Sequence, residues 1–220
     1  MKVRLLSYTQ PSPMKYELRD TQKLISYCAR VSNPSNQKNS ESSEKLLKYL
    51  IKNKHWSPFE MASAIIEVET TRDIARQLLR HRSFSFQEFS QRYADPSELA
   101  DTFVVREARL QDNKNRQNSI DTTDTELIAW WDASQKFIIE HAQRLYKEAI
   151  AKGIAKEQAR SILPEGNTKS KLYVNGTIRS WIHYVELRSA NGTQKEHMDL
   201  AKAIGEAISK IFPLMEDFYG

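Results

Sequence analysis

Between Arg80 and Tyr93 the chain reads Arg-His-Arg-Ser-Phe-Ser-Phe-Gln-Glu-Phe-Ser-Gln-Arg-Tyr, and nearly every polar residue in it can do chemistry. Arg80, Arg82 and Arg92 carry planar forks of N–H donors that fit phosphate oxygens two at a time, at roughly 1.5–3 kcal/mol per charge-assisted bond. His81 adds an imidazole, Ser83, Ser85 and Ser90 add hydroxyls, and Glu88 sets one carboxylate among the cations. A dianionic phosphate on a small molecule suits that set. A polynucleotide backbone suits it less, because Glu88 would repel it. Ser83, Ser85 and Gln87 alternate with Phe84, Phe86 and, nearly in step, Phe89, which predicts an extended or tightly looped segment with one apolar side.

Three further stretches carry polar groups in compact patterns. His55-Trp56-Ser57-Pro58-Phe59-Glu60 reads by itself as a proline turn with a capping serine. Gln158-Ala159-Arg160-Ser161-Ile162-Leu163-Pro164 ends a short helix at its proline, and Gly176-Thr177-Ile178-Arg179 opens another whose first amides could face an anion. That second helix carries His183 and runs to Leu187 and Arg188.

Taken together these stretches resemble the flavin-dependent thymidylate synthases. The 80–93 segment matches the family signature Arg-His-Arg-x-x-Ser-x-Asn-Glu-x-Ser-x-Arg-Tyr at every specified position except one, where Gln87 stands for asparagine. The His55 turn is similar to a shorter family motif, and residues 159–164 to its Ala-Arg-x-x-Leu-Pro element. Relatives carry Gly-Asn-x-Arg where this chain has Gly176-Thr177-Ile178-Arg179, and often a histidine where Gly192 aligns.

The resemblance implies an α/β (α+β) homotetramer with a mixed or antiparallel sheet flanked by helices and active sites shared between subunits. It implies reductive methylation of dUMP to dTMP, with FAD as hydride carrier and with NADPH and 5,10-methylenetetrahydrofolate as co-substrates. Carried over by position, the FAD contacts are His55, Ser57, Glu60, Arg80, His81, Arg82, Glu88, Thr177, Arg179 and His183. The dUMP contacts are Gln77, Arg80, Glu88, Phe89, Ser90, Gln91, Arg92, Arg160 and Arg188, with Arg188 and Ser90 as the catalytic pair.

The elements that must hold these groups are partly legible. Val3 and Leu5 alternate with charges in an opening strand that ends in a turn at Pro11 and Pro13. Asp20 or Thr21 can cap a helix with Leu24, Ile25, Cys28 and Val31 on its apolar stripe, which makes Cys28 a core thiol. Ser32–Ser43 reads as a loop, Glu44–Lys54 as an amphipathic helix, Ala62–Thr70 as a strand, and Arg72–Arg80 as a short helix that turns Arg76, Gln77 and Arg80 away from its buried face. Thr102–Arg106 is predicted as a strand and the Asn-rich 109–124 segment as a mobile insertion without chemistry. A long helix follows between a cap at Asp124 and Gly153, with Leu127, Trp130, Trp131, Phe137, Ile138, His141, Leu145 and Ile150 giving it an apolar stripe wide enough to meet another subunit. Ala155–Leu163 reads as a helix, Lys171–Asn175 as a strand and Gln194–Phe212 as a last helix.

Composition sets outer limits. The 220 residues suit one domain, and a net charge of +5 favours anionic partners. A single cysteine leaves no disulfide framework and no thiolate metal site, the histidines are scattered, and the six glycines form neither a dinucleotide fingerprint nor a phosphate loop. No run approaches the ~18 apolar residues of a membrane span. A cytoplasmic enzyme with no nucleic-acid or membrane partner is expected. The two competing readings are a basic nucleic-acid-binding protein and a thymidylate synthase with a cysteine nucleophile. Glu88 opposes the first, and Cys28 on an apolar stripe opposes the second.

Overall fold

Alternation of apolar and charged side chains makes β1 (Lys2–Tyr8), in which Val3 and Leu5 are half-buried while Lys2 and Arg4 face solvent. The computed structural model describes residues 1–12, 18, 20–96 and 102–219. After β1 come α1 (Thr21–Ala29), α2 (Ser43–Lys52), β2 (Ser63–Thr71), α3 (Arg72–Leu79), β3 (Ser85–Glu88), β4 (Arg109–Gln111), β5 (Ser119–Asp121), α4 (Thr125–Ala151), α5 (Lys156–Ala159), β6 (Lys169–Thr177), α6 (Ile178–Ser189) and α7 (Lys195–Ser209).

Four of the strands form one antiparallel sheet in the order β1-β2-β6-β3. Register follows from burial. Ala64, Ile66 and Val68 of β2 and Leu172 and Val174 of β6 face the core, so Glu67, Glu69 and Lys171 fall on the other side. There Lys171 lies 3.0 Å from Glu69 and 3.7 Å from Glu67, and Arg4 lies 2.9 Å from Glu67 across the neighbouring pair. α6 and α7 cover the inner face, burying Trp181, Ile182, Leu200 and Ile204 against Phe59 and Leu47 in one continuous cluster.

Gly176 ends the inward row of β6. A Cβ there would sit 2.3 Å from the Phe84 ring, which is itself packed 4.3 Å from the Trp181 ring. Gly176→Ala is therefore expected to cost about 1–3 kcal/mol of stability through overpacking, read as a lowered melting temperature.

Most predicted elements are present, with shifted ends. Asp20 caps α1 by accepting from the Lys23 amide, and Asp124 caps α4 by accepting from the Glu126 and Leu127 amides. Gly153 follows α4 at φ +83°, the left-handed conformation that glycine adopts without strain. Some expectations fail. Helix α1 stops at Ala29, leaving Val31 69% exposed, and Cys28 is half-buried rather than in the core. Thr102–Arg106 is no strand: Phe103 makes a single bridge to Thr168, and the segment is otherwise spent on side-chain contacts. The 109–124 insertion instead folds as the β4–β5 hairpin. Ala155–Leu163 splits into α5 and a tighter turn over Arg160–Ile162, and the last helix ends at Ser209 with Phe212 buried beyond it. Pro13, part of the expected turn after β1, lies outside the described residues.

Candidate functional site

The first group of polar residues gathers where α3 ends. Ile74, Ala75 and Leu78 fill the core, which leaves Arg76 and Arg80 outside. The chain leaves the helix through Arg80 and places His81 half-buried, its ring 4.9 Å from and nearly perpendicular to Tyr184. Helix α6 anchors itself through Ile178, Trp181, Ile182 and Val185 and delivers Arg188 to the same place, where Arg188 Nε donates to His81 Nε2 at 2.9 Å. Burial, then the charges of Arg188 and Arg80, lower the His81 pKa to about 4. The imidazole is thus neutral at physiological pH, with Nε2 as acceptor and the proton on Nδ1. Gln77, expected to point away from the buried face of α3, is half-buried and turned toward α7. Its Nε2 donates to Gln194 Oε1 at 2.7 Å, and its Oε1 lies 3.1 Å from His197 Nδ1.

A second group surrounds the His55 turn. Residues Ser57–Glu60 form one tight helical turn whose Phe59 is buried, so that Ser57 and Glu60 stay exposed. Glu60 and Arg179 form an ion pair, and the Trp56 ring stands 4.6 Å from the exposed His183 ring. Burial, then the Arg179 charge, holds His183 below its ordinary pKa. Thr177 accepts the Ser180 amide with its hydroxyl and so caps α6. His55 is exposed, with its ring edge-on to Tyr49.

The third group lies beyond β3. Glu88 accepts from the Ser170 hydroxyl at 2.7 Å and lies 3.7 Å from Arg72. Phe89 donates its amide to Lys171 and extends the pairing by one residue. Ser90 Oγ accepts the Arg92 amide, Gln91 is buried with its Nε2 unpartnered among the described residues, and Arg92 is 3.5 Å from Glu157. Arg160 donates to the Glu157 backbone carbonyl, so Arg92 and Arg160 both touch Glu157, Arg92 at its carboxylate and Arg160 at its main chain. The structure therefore brings Gln77, Arg80, His81 and Arg188 together, and separately brings Ser90, Arg92 and Arg160 together. The length of β3, about 13 Å for its four residues, runs between them.

A fourth set was missed by sequence reading. Arg106 binds Asp73 at 2.7 Å and Glu196 at 3.1 Å, Arg109 also pairs with Glu196, and Gln194 Nε2 donates to Glu196 Oε2 at 2.9 Å. A cavity of about 590 Å³ opens beside them, lined also by Trp130 and Trp131. Nothing local in the sequence signals this set, because its members come from α3, the 106–109 segment and the start of α7. Among the described residues no cluster of His, Cys, Asp or Glu could hold a metal ion, and no helix is long and apolar enough to cross a membrane.

Comparison with known proteins adds three findings. The sequence profile described as "Thymidylate synthase complementing protein" matches residues 4–214. The chain is 51% identical over 213 residues to a probable flavin-dependent thymidylate synthase of Paramecium bursaria Chlorella virus 1, and 50% identical over 214 residues to the flavin-dependent thymidylate synthase of a Synechocystis strain. Both alignments cover 97% of this chain and 96% of the relative. The fold is similar to the crystal structure of PolB, a UMP/dUMP methylase from Streptomyces cacaoi bound with 5-Br dUMP, at a TM-score of 0.81 and 26% identity over 99% of this chain and 93% of that one.

Proposed function

The chain belongs to the thymidylate synthase complementing protein family, and we propose that it converts dUMP to dTMP by reductive methylation, with 5,10-methylenetetrahydrofolate as carbon donor and NADPH as reductant. Residues 1–220 act as one domain, in the cytoplasm. The observation that carries the mechanism is the Arg188–His81 contact, because it fixes a guanidinium beside a neutral partner.

FAD fits the groups present. The guanidiniums of Arg80 and Arg82 make no ion pair among the described residues, and exposed His55, Ser57 and His183 stand on one turn and one helix that touch through Trp56. Those cationic forks would take the place of a glycine loop at a pyrophosphate. Thr177 and Glu88 have local roles as cap and acceptor, and Arg179 is joined to Glu60, so these four side chains would support the site from its rim. Bound FAD, reduced by NADPH, supplies the hydride.

Everything else falls to the chain. Arg92 and Arg160 take the substrate phosphate, Gln77 and Glu88 serve base or ribose edges, and Ser90 donates to an oxygen, with Phe89 and Gln91 shaping the same loop. Arg188 activates the pyrimidine. A nucleophilic route through Cys28 is disfavoured, since burial raises its pKa, away from the thiolate.

A complete nucleotide site needs both the Arg80 group and the Arg92 group, and one chain holds them apart. That separation, with Trp130 62%, Phe137 59% and Ile138 53% exposed along α4, supports a homotetramer whose sites draw on more than one subunit. Nucleic acid and membrane have no place in this reading.

The test is direct. Purified protein should carry the yellow absorbance of flavin and form dTMP from dUMP only when NADPH and methylenetetrahydrofolate are both supplied. Cys28→Ser should melt slightly earlier and turn over normally, and complete loss of activity well below its melting temperature would restore a thiol mechanism.

A further inference from the structure

His197 has no part in the roles above. It is fully buried on α7, with Nδ1 3.1 Å from Gln77 Oε1 and with Nε2 unpartnered among the described residues. The rings of Tyr184 and His81 stand 5.8 Å and 6.3 Å away. Gln77 is also held at its other end by Gln194, which is held in turn by Glu196.

Chemistry fixes the direction of every bond in this row. Burial tends to raise the Glu196 pKa, but its own backbone N–H, Gln194, Arg106 and Arg109 outweigh that and hold it below the ordinary value. An ionised carboxylate only accepts. Gln194 must therefore turn its NH₂ to Glu196 and its carbonyl to Gln77. Gln77 must turn its NH₂ to Gln194 and its carbonyl to His197. His197 must donate from Nδ1. Burial, then the charges of Arg188 and His81, lower its pKa to about 3, so the ring carries one proton, and Nδ1 is the nitrogen with an acceptor.

We propose that His197 is a positioning residue that locks the Gln77 amide in one orientation, so that its remaining N–H and remaining lone pair meet the pyrimidine in a fixed order. An amide free to flip accommodates donor–acceptor edges of either order, and a locked one accepts only one. Along the N3 and C4 edge, neutral uracil on binding offers N3–H then O4, whereas cytosine offers N3 then N4–H₂, the opposite order. The lock therefore acts on selectivity for dUMP over dCMP, and it rests on the reading of Gln77 as a nucleotide contact.

Three measurements on the full-length enzyme test this. Imidazole ¹⁵N NMR of the wild type should show His197 protonated at Nδ1, and a proton on Nε2 would overturn the proposal whatever the substrate. His197→Phe should raise the KM for dUMP about tenfold, the value of one hydrogen bond, and narrow the preference over dCMP as inhibitor, while His197→Asn, whose amide N–H can stand where Nδ1–H stood, should restore both. Equal KM and equal selectivity in the two variants, with only the melting temperature changed, would make His197 a packing residue. Gln77→Ala separates the layers: unchanged dUMP binding there would remove Gln77 from the nucleotide site, and with it the lock, while leaving the tautomer result intact.

Discussion

Arg188→Lys is expected to bind dUMP and yet to lose roughly 10²–10³-fold in methyl transfer, the scale seen when one preorganised donor is removed from a developing charge. Methylation requires C5 of uracil to be nucleophilic. Without a thiolate adding at C6, the electron density has to come from the ring, whose N3 is a weak acid. A guanidinium beside it favours the deprotonated ring and stabilises charge as it develops. The Arg188 side chain is prepared for this by its partner. Nε is engaged by His81 at 2.9 Å, which leaves both Nη groups for the substrate, and because His81 is neutral it orients the cation without cancelling its charge. Lysine keeps the charge but cannot hold the imidazole and present a planar fork at once. Stopped-flow measurement of the two half-reactions decides the matter. A defect confined to flavin reduction by NADPH, with methyl transfer intact, would end the assignment.

Arg80→Ala and Arg160→Ala should each be nearly inactive alone and recover activity when co-assembled. Arg80 belongs to the group at the end of α3, and Arg160 to the group around Glu157 beyond β3. If a working site takes the first from one subunit and the second from another, random mixing of the two variants leaves about a quarter of the sites with both arginines. The restored rate should therefore approach that fraction of the wild-type rate, from a baseline near zero. Co-assembly is verified with two different affinity tags before activity is measured. No recovery in verified mixed oligomers would mean that each site is built within one chain.

Much of this architecture can be read locally. The two ends of α4 are written in Asp124 and Gly153, and the phenylalanine alternation after Arg82 becomes β3, because capping, left-handed φ and two-residue periodicity depend only on neighbours in the chain. The hairpin was not legible for the opposite reason. Each of its strands is only three residues long with a single, exposed apolar residue, too short for a period to show, and it is held by Arg109 on Glu196 and by Lys195 on Glu107 and Asp121, partners more than 70 residues distant. Val104 and Val105 suggested a strand, but Arg106 draws that segment toward Asp73 and Glu196 instead. Site residues followed the same division. The motif stretches supplied the candidate side chains, while the proposed lock on Gln77 rests on a histidine whose long-range contact with Gln77, 120 residues away, no local pattern records.

One feature of the sheet bears on motion. Among the described residues β3 is an edge strand of four residues paired only with β6, whereas β2 and β6 pair over nine residues in the middle. Breathing of a protein begins where the fewest bonds must be broken, and a short outer strand can lift while the interior stays shut. The segment from Arg80 to Arg92, which the proposed chemistry uses most, is therefore built around the shortest strand of that sheet, at its edge. Opening that margin would break only the β3–β6 pairing, four residues long against the nine of β2–β6.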